Sequence, residues 1–190
     1  MNPRNLYIIL FILLSTISCN LFEAEETIEL ETATTLPPAD TIQQAKEQVK
    51  TPGETAVETK NVSPAEIITF AKTLIGVPYK YGSTDPAEGF DCSGFITYVF
   101  NHFDIKVPRS SIDFTNVGMP VSQLEAETGD LILFTGTDTL ETHVGHMGIV
   151  TENTDSLRFI HSTSGKSYGV TITALNSYYL KRFVKVIRIF

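Results

Sequence analysis

Apolar residues fall into three successive patterns along this chain, and the changes between them mark its organisation. The first is one unbroken run, Leu6 to Leu14 (LYIILFILL), with Arg4 before it and Ser15-Thr16-Ile17-Ser18-Cys19 after it. Crossing a bilayer takes about 20 apolar residues. This run is shorter, and its basic start, apolar middle and small-residue end have the layout of an export signal. Between residues 20 and 62 apolar positions are sparse and follow no period.

The second pattern has helical spacing. Ser63-Pro64-Ala65-Glu66 sets serine at an N-cap, proline at the first helical position and glutamate at the third, a capping box. Ile67, Ile68, Phe70, Ala71, Leu74 and Ile75 follow on one face, and Gly76 with Pro78 ends the helix. A Gly/Pro/Asp-rich loop, Tyr79 to Gly89, leads to a second helix over Cys92–His102 with Phe95, Ile96, Val99, Phe100 and Phe103 facing the core. A short helix is expected around Ser110 to Asn116. After Gly129-Asp130 the period changes to that of strands: Leu131–Phe134, His146–Thr151, Arg158–His161, Val170–Thr173 and Phe183–Phe190. Helices followed by strands predict an α+β domain over 63–190, N-terminal helices on an antiparallel sheet of about five strands.

Composition sharpens the boundaries. Residues 20–62 hold nine acids against Lys46, Lys50 and Lys60, a charge of −6, with Pro37, Pro38 and Pro52 and no aromatic after Phe22. Such a stretch cannot bury enough apolar surface to offset its ordering entropy, so it reads as a disordered acidic tether. The organisation is then a signal over 1–18, a tether over 19–62 and one domain over 63–190. The net charge of −8 and the lack of any basic patch point away from nucleic acid and from anionic lipid.

Cysteine usage comes next, because there are only two. Ser18 directly before Cys19 has the form of a lipoprotein cleavage site, which would make Cys19 the lipidated first residue of the mature chain. Ordinary cleavage, or an uncleaved anchor with Cys19 incidental, are the competing readings. With Cys19 acylated, Cys92 has no disulfide partner in an oxidising compartment, a liability unless its reactivity is used.

Cys92 lies in Asp91-Cys92-Ser93-Gly94, at a helix start, where the dipole favours a thiolate and a small Gly94 leaves room for a carbonyl. Asp91 could cap the helix. Downstream, His146 opens a strand between Gly145 and Met147-Gly148, placed to act as general base to a thiol nucleophile. A third polar group must orient the imidazole, and His161, at the end of the adjacent strand, is the candidate. The bland alternatives are a small buried cysteine and, for the base, a competitor in His143, which sits in a Thr/Asp/Glu loop. His102 closes a helix and takes no catalytic role. No C-x-x-C or other zinc spacing is present, so neither metal nor cofactor is expected.

Taken together, Gly76-Val77-Pro78-Tyr79-Lys80-Tyr81-Gly82, Gly89-Phe90-Asp91-Cys92-Ser93-Gly94-Phe95, Val107-Pro108-Arg109-Ser110-Ser111, Gly129 to Phe134, His146 to Val150 and Phe159-Ile160-His161 resemble the NlpC family of papain-like cell-wall cysteine peptidases. The resemblance implies a circularly permuted papain-like fold, with the helix bearing Cys92 packed on the sheet bearing His146 and His161. It implies hydrolysis of peptidoglycan stem peptides, most often between γ-D-glutamate and diaminopimelate or lysine. Tyr79 would help form the oxyanion hole, Asp91 and Ser93 would line the part of the cleft that receives substrate, and Arg109 and Asp130 would support loops. The chain would then be a monomeric enzyme of the cell envelope, held by its lipid at a membrane facing the wall, the outer membrane of a Gram-negative cell. An amidase or transpeptidase on the same fold, and a non-catalytic wall-binding lipoprotein, are the alternatives.

Overall fold

The structure is a computed structural model that describes residues 55–138, 140 and 142–190. The export signal, Cys19 and the tether as far as residue 54 lie outside the described residues. The described chain begins inside the stretch read as tether. Thr55 makes a parallel bridge with Val117, its N–H donating to the Asn116 carbonyl at 2.7 Å, and Val57 and Val62 pack against the core.

The first helix, α1 (Pro64–Thr73), starts on the expected capping box: the Ser63 side chain accepts from Glu66 N–H, and the Glu66 carboxylate accepts from Ser63 N–H at 2.9 Å. It ends before Ile75, whose side chain is half exposed, and Gly76 turns the chain at φ +92°. A two-residue hairpin, β1 (Thr84–Asp85) and β2 (Gly89–Phe90), leads into α2 (Cys92–His102). The short helix over Ser111–Asn116 is of the 3-10 type.

Six antiparallel strands form the sheet: β3 (Met119–Val121), β4 (Leu131–Thr135), β5 (Val144–Asn153), β6 (Leu157–Thr163), β7 (Gly169–Ala174) and β8 (Phe183–Arg188). Their order is β3-β8-β4-β5-β6-β7. Five are those anticipated. The sixth, β3, is three residues long at the sheet edge and contains Pro120, a residue that edge pairing tolerates and that masks a strand pattern. A four-residue helix, α3 (Ser177–Leu180), precedes β8 and was not anticipated.

Both faces of the sheet are apolar. Leu131, Leu133, Met147, Ile149, Ile160 and Ile187 join α1 and α2 in the larger core, with Phe95, Ile96, Val99 and Phe100 fully buried. Ile132, Phe134, Val150, Phe159 and Val186 form a second cluster with Tyr179 of α3. The sheet is therefore sandwiched, α1 and α2 on one side and α3 on the other, an α+β fold of the papain-like kind. Among the described residues no helix is long and apolar enough to cross a membrane.

Candidate active site

Asp91 caps α2 from extended backbone, its Oδ1 accepting from the Gly94 N–H at 2.6 Å. Cys92 is thereby the first residue of the helix, with its thiol directed at β5. The thiol donates to the Gly145 carbonyl at 3.8 Å, and the Met147 N–H also hydrogen-bonds the sulfur. Backbone on both sides of His146 thus lies against the thiol. Burial, followed by the Asp91 carboxylate, pushes the thiol up to about 11. That reverses the direction expected from a helix start. N–H groups of Ser93, Met147 and Cys92 do favour the thiolate, but desolvation and a neighbouring negative charge outweigh them.

The histidines meet through strand register. Ile149 pairs with Ile160 across β5 and β6, which sets His161 across from Gly148 and diagonal to His146. A Cβ on Gly148 would lie 3.2 Å from the His161 Cβ and 2.7 Å from Phe159. Its bare backbone lets the diagonal rings touch, and His146 Nε2 lies 2.8 Å from His161 Nδ1. The step repeats on the next strand: His161 pairs with Thr171, and its Nε2 reaches the diagonal Thr173 Oγ1 at 2.9 Å. When His161 donates from Nε2 to Thr173, its Nδ1 accepts from His146 Nε2–H, leaving His146 Nδ1 a bare lone pair. This tautomer is the one that makes His146 a base. Burial holds both rings in the neutral form: His146 lies well below its ordinary range, helped by His161 and Arg182, and His161 is pushed down to about 3, helped by Arg182.

Tyr79 is half-buried beside this centre, bridged through its backbone to Phe90 and to the Tyr168 carbonyl at 3.2 Å. Burial, then the charges of Cys92 and Asp91, raise its phenol above the usual value, which keeps it a proton donor. Asp91 and Ser93 are buried, and their polar atoms are used within the protein. Asp91 Oδ2 accepts from Gly82 N–H at 2.8 Å and from Arg109 at 2.7 Å, while Arg109 also donates to Ser93 Oγ at 3.0 Å. Arg109 thus holds the start of α2 as well as its own loop. His102 stacks on Phe70 at 3.6 Å, and His143 is exposed in the β4–β5 connection. Among the described residues no three His, Cys, Asp or Glu side chains are gathered as a metal would require.

Sequence reasoning missed Thr173, Tyr179 and Arg182. Thr173 became visible only with the register, since a diagonal neighbour two strands away leaves no local signal. Tyr179 packs against both imidazoles, from a helix too short to show a period.

Comparison with known proteins places this geometry in context. Over 131 residues the chain is 35% identical to the Gamma-DL-glutamyl hydrolase of Bacillus subtilis, covering 65% of this chain and 29% of that protein. Over 108 residues it is 35% identical to the Murein DD-endopeptidase MepS/Murein LD-carboxypeptidase of Escherichia coli K12, covering 56% and 52%. The chain therefore spans 29% to 52% of the length of these curated relatives. Among solved structures, an NlpC/P60 family protein from Bacillus cereus superposes with a TM-score of 0.60 at 26% identity, over 69% of this chain and 41% of that one. The NlpC/p60 domain of the peptidoglycan hydrolase SagA gives a TM-score of 0.55 at 26% identity, over 67% and 99%. Residues 76–188 match the NlpC/P60 family, a span that takes in Cys92, His146 and His161, and the chain belongs to that family.

Proposed function

We propose that this protein is a cysteine endopeptidase that hydrolyses peptidoglycan stem peptides at the bond between γ-D-glutamate and diaminopimelate. The observation that carries the reading is the thiol of Cys92 lying against the backbone around His146, whose Nε2 is engaged by His161 at 2.8 Å. Names of relatives support cell-wall hydrolysis, with a Gamma-DL-glutamyl hydrolase favouring a γ-glutamyl bond and a Murein DD-endopeptidase/LD-carboxypeptidase named for other bonds.

In this reading His146 Nδ1 takes the thiol proton as Cys92 Sγ attacks the scissile carbonyl carbon. The resting thiol is protonated and the resting base neutral, so the charged pair forms when substrate arrives. The Cys92 N–H, unused within the helix, and the Tyr79 hydroxyl hold the developing oxyanion. Collapse breaks the C–N bond, and His146 gives its proton to the leaving amine. Water, deprotonated by His146, then attacks the thioester, releasing the carboxylic acid and regenerating the thiol. His161 and Thr173 hold His146 in the tautomer with its lone pair on Nδ1, while Asp91 and Ser93 form the cleft floor beside Cys92. No cofactor takes part. Cys19 carries the lipid and the stretch from 19 to 54 the tether, since residues from Thr55 on pack with the domain; together they place the domain in the cell envelope, at the outer membrane, as a monomer.

The test is to incubate the full-length protein in mild detergent, and its Cys92→Ala variant, with muropeptides and to read the products by mass. Cleavage after γ-D-glutamate, absent in the variant, is expected. New termini at the D,D cross-link or at another amide would reassign the bond, and wall binding without Cys92-dependent cleavage would overturn the enzymatic reading. Replacing Cys19 with alanine should move the protein out of the membrane fraction.

A further inference from the structure

Behind the two imidazoles lies a layer of side chains that the proposed reaction does not use. Tyr179 stands on α3, whose start is fixed by Asn176 accepting from the N–H groups of Tyr178 and Tyr179 at 3.0 and 3.3 Å. Its ring is only 7% exposed. It lies nearly parallel to His146, centroids 6.0 Å apart at 26°, and edge-on to His161, at 5.5 Å and 89°. Phe134 and Phe159 close the same aromatic box, each 5.0 Å from Tyr179. The Tyr179 hydroxyl bonds the Thr163 side chain.

Arg182 follows in the turn into β8. Its guanidinium carbon is 5.9 Å from the Tyr179 ring centre and 5.0 Å from that of Tyr178. Each of its three nitrogens donates a hydrogen bond. Nε and Nη2 donate to the Thr135 carbonyl at 3.2 and 2.7 Å, Nε to Gly136 at 3.1 Å, and Nη1 to the Tyr178 hydroxyl at 2.7 Å. The end of β4 that Arg182 grips is packed on the start of β5, since a Cβ on Gly145 would come within 2.7 Å of Gly136 backbone. Gly145 is the residue whose carbonyl receives the thiol proton donor.

We propose that Tyr179 and Arg182 are positioning residues for the two histidines: Tyr179 fixes the planes of both rings, and Arg182 locks the strand ends that present His146 to Cys92. The inference rests on the cysteine-hydrolase reading above and deepens it. A terminal imidazole torsion is broad and roughly two-fold. The hydrogen bond to His161 decides which ring atom of His146 is the free one, but a single bond lets the ring plane rock about it. A ring stacked on one imidazole and edge-on to the other restrains both planes. Arg182 has a second effect, electrostatic and of the same origin. It sets a fixed positive charge beside both rings, adding to the burial that keeps them neutral. Tyr179 faces both rings from α3, Cys92 lies against the backbone around His146 from α2, and the Asp91 carboxylate next to Cys92 is paired with Arg109.

The test uses full-length protein and four variants, with three readouts: kcat and KM on muropeptide, the pH profile of kcat/KM, and imidazole pKa values from NMR titration. Tyr179→Leu should lower kcat by about tenfold or more with KM little changed, as expected when base geometry is lost. Tyr179→Phe keeps the ring and should stay near wild type. Arg182→Met should lower kcat, and should move the acid limb of the profile and both imidazole pKa values upward. Arg182→Lys keeps the charge, so it should leave the limb in place while lowering kcat. A folded Tyr179→Leu with unchanged kcat, or with a loss confined to KM, overturns the role of Tyr179. Unchanged kcat in folded Arg182→Met and Arg182→Lys overturns that of Arg182. Should Tyr179→Leu not fold, the two Arg182 variants and the imidazole titrations still decide. Absence of any Cys92-dependent cleavage by wild type would instead remove the underlying reading, and the NMR titration would then judge the positioning alone.

Discussion

Asp91 is the residue on which the site depends most and whose effect runs against its neighbour's chemistry. Its carboxylate ties together Gly82 N–H, Gly94 N–H and Arg109, so it fixes where α2 begins and hence where Cys92 stands. The same charge, after burial, holds the thiol high, at about 11. Replacing Asp91 with asparagine keeps a capping oxygen but removes the charge, and the two consequences have opposite sign. The thiol should ionise at lower pH, read as a downward shift in the midpoint of its alkylation by iodoacetamide. The fold should lose about 1–2 kcal/mol, because a charge-assisted bond from the partly exposed Arg109 to the buried Asp91 carboxylate is weakened. A midpoint that stays put would mean that burial alone sets the thiol. Cys92 and His146 stand out in the sequence because each sits in a glycine-flanked local context. The direction of the thiol's shift was not legible, since it turns on burial and on the distance to Asp91.

At the scale of elements, what was legible and what was not divide by range. The capping box of α1 reads directly from Ser63 and Glu66, which touch each other three residues apart. The strands β4 to β8 read from alternation or apolar runs. In contrast, β3 and α3 are short and exist because of what they pack against, Arg188 and its neighbours for β3 and the aromatic cluster around Tyr179 for α3. The hydrogen-bonded line His146–His161–Thr173 depends on register across three strands. Two substitutions separate local from tertiary control. Ser63→Ala should cost about 1 kcal/mol in denaturant unfolding and leave activity alone. Gly94→Ala would ordinarily help a helix by nearly 1 kcal/mol. Here the new Cβ would sit 2.1 Å from the Ser83 carbonyl and 2.8 Å from Asp91. Backbone must move to admit it, so the expected result is a net loss of about 1–3 kcal/mol together with lost hydrolysis as Cys92 is displaced from β5. A stabilised, active Gly94→Ala would show that the helix start yields without moving the thiol.

For the whole molecule, the buried site ties stability to pH on both sides of neutrality. His161 is neutral and buried in the fold, pushed down to about 3 from an ordinary value of 6.5, and His146 is lowered as well. Between those values the unfolded chain takes up protons that the folded chain refuses, so stability falls as pH drops below about 6.5. The slope should be about 1.4 kcal/mol per pH unit for each such histidine. Glu66, lowered by its bonds to Ser63, works in the same direction below its ordinary 4.5. On the alkaline side Cys92, raised from 9.0 to about 11, keeps its proton while the unfolded chain gives it up, so stability falls again between those limits. The protein should therefore be most stable between about pH 6.5 and 9. Many carboxylates also titrate on the acid side, which makes a single curve ambiguous, so the decisive measurement is a difference. His161→Asn cannot be protonated in this range and should lose stability at pH 7 through its altered packing and hydrogen bonds. Between pH 6 and 4.5, however, its unfolding free energy should fall less steeply than wild type by about 1.4 kcal/mol per unit. Equal slopes in denaturant titrations would mean that the His161 ring takes up its proton within the fold, in which case it could not serve as a neutral acceptor for His146.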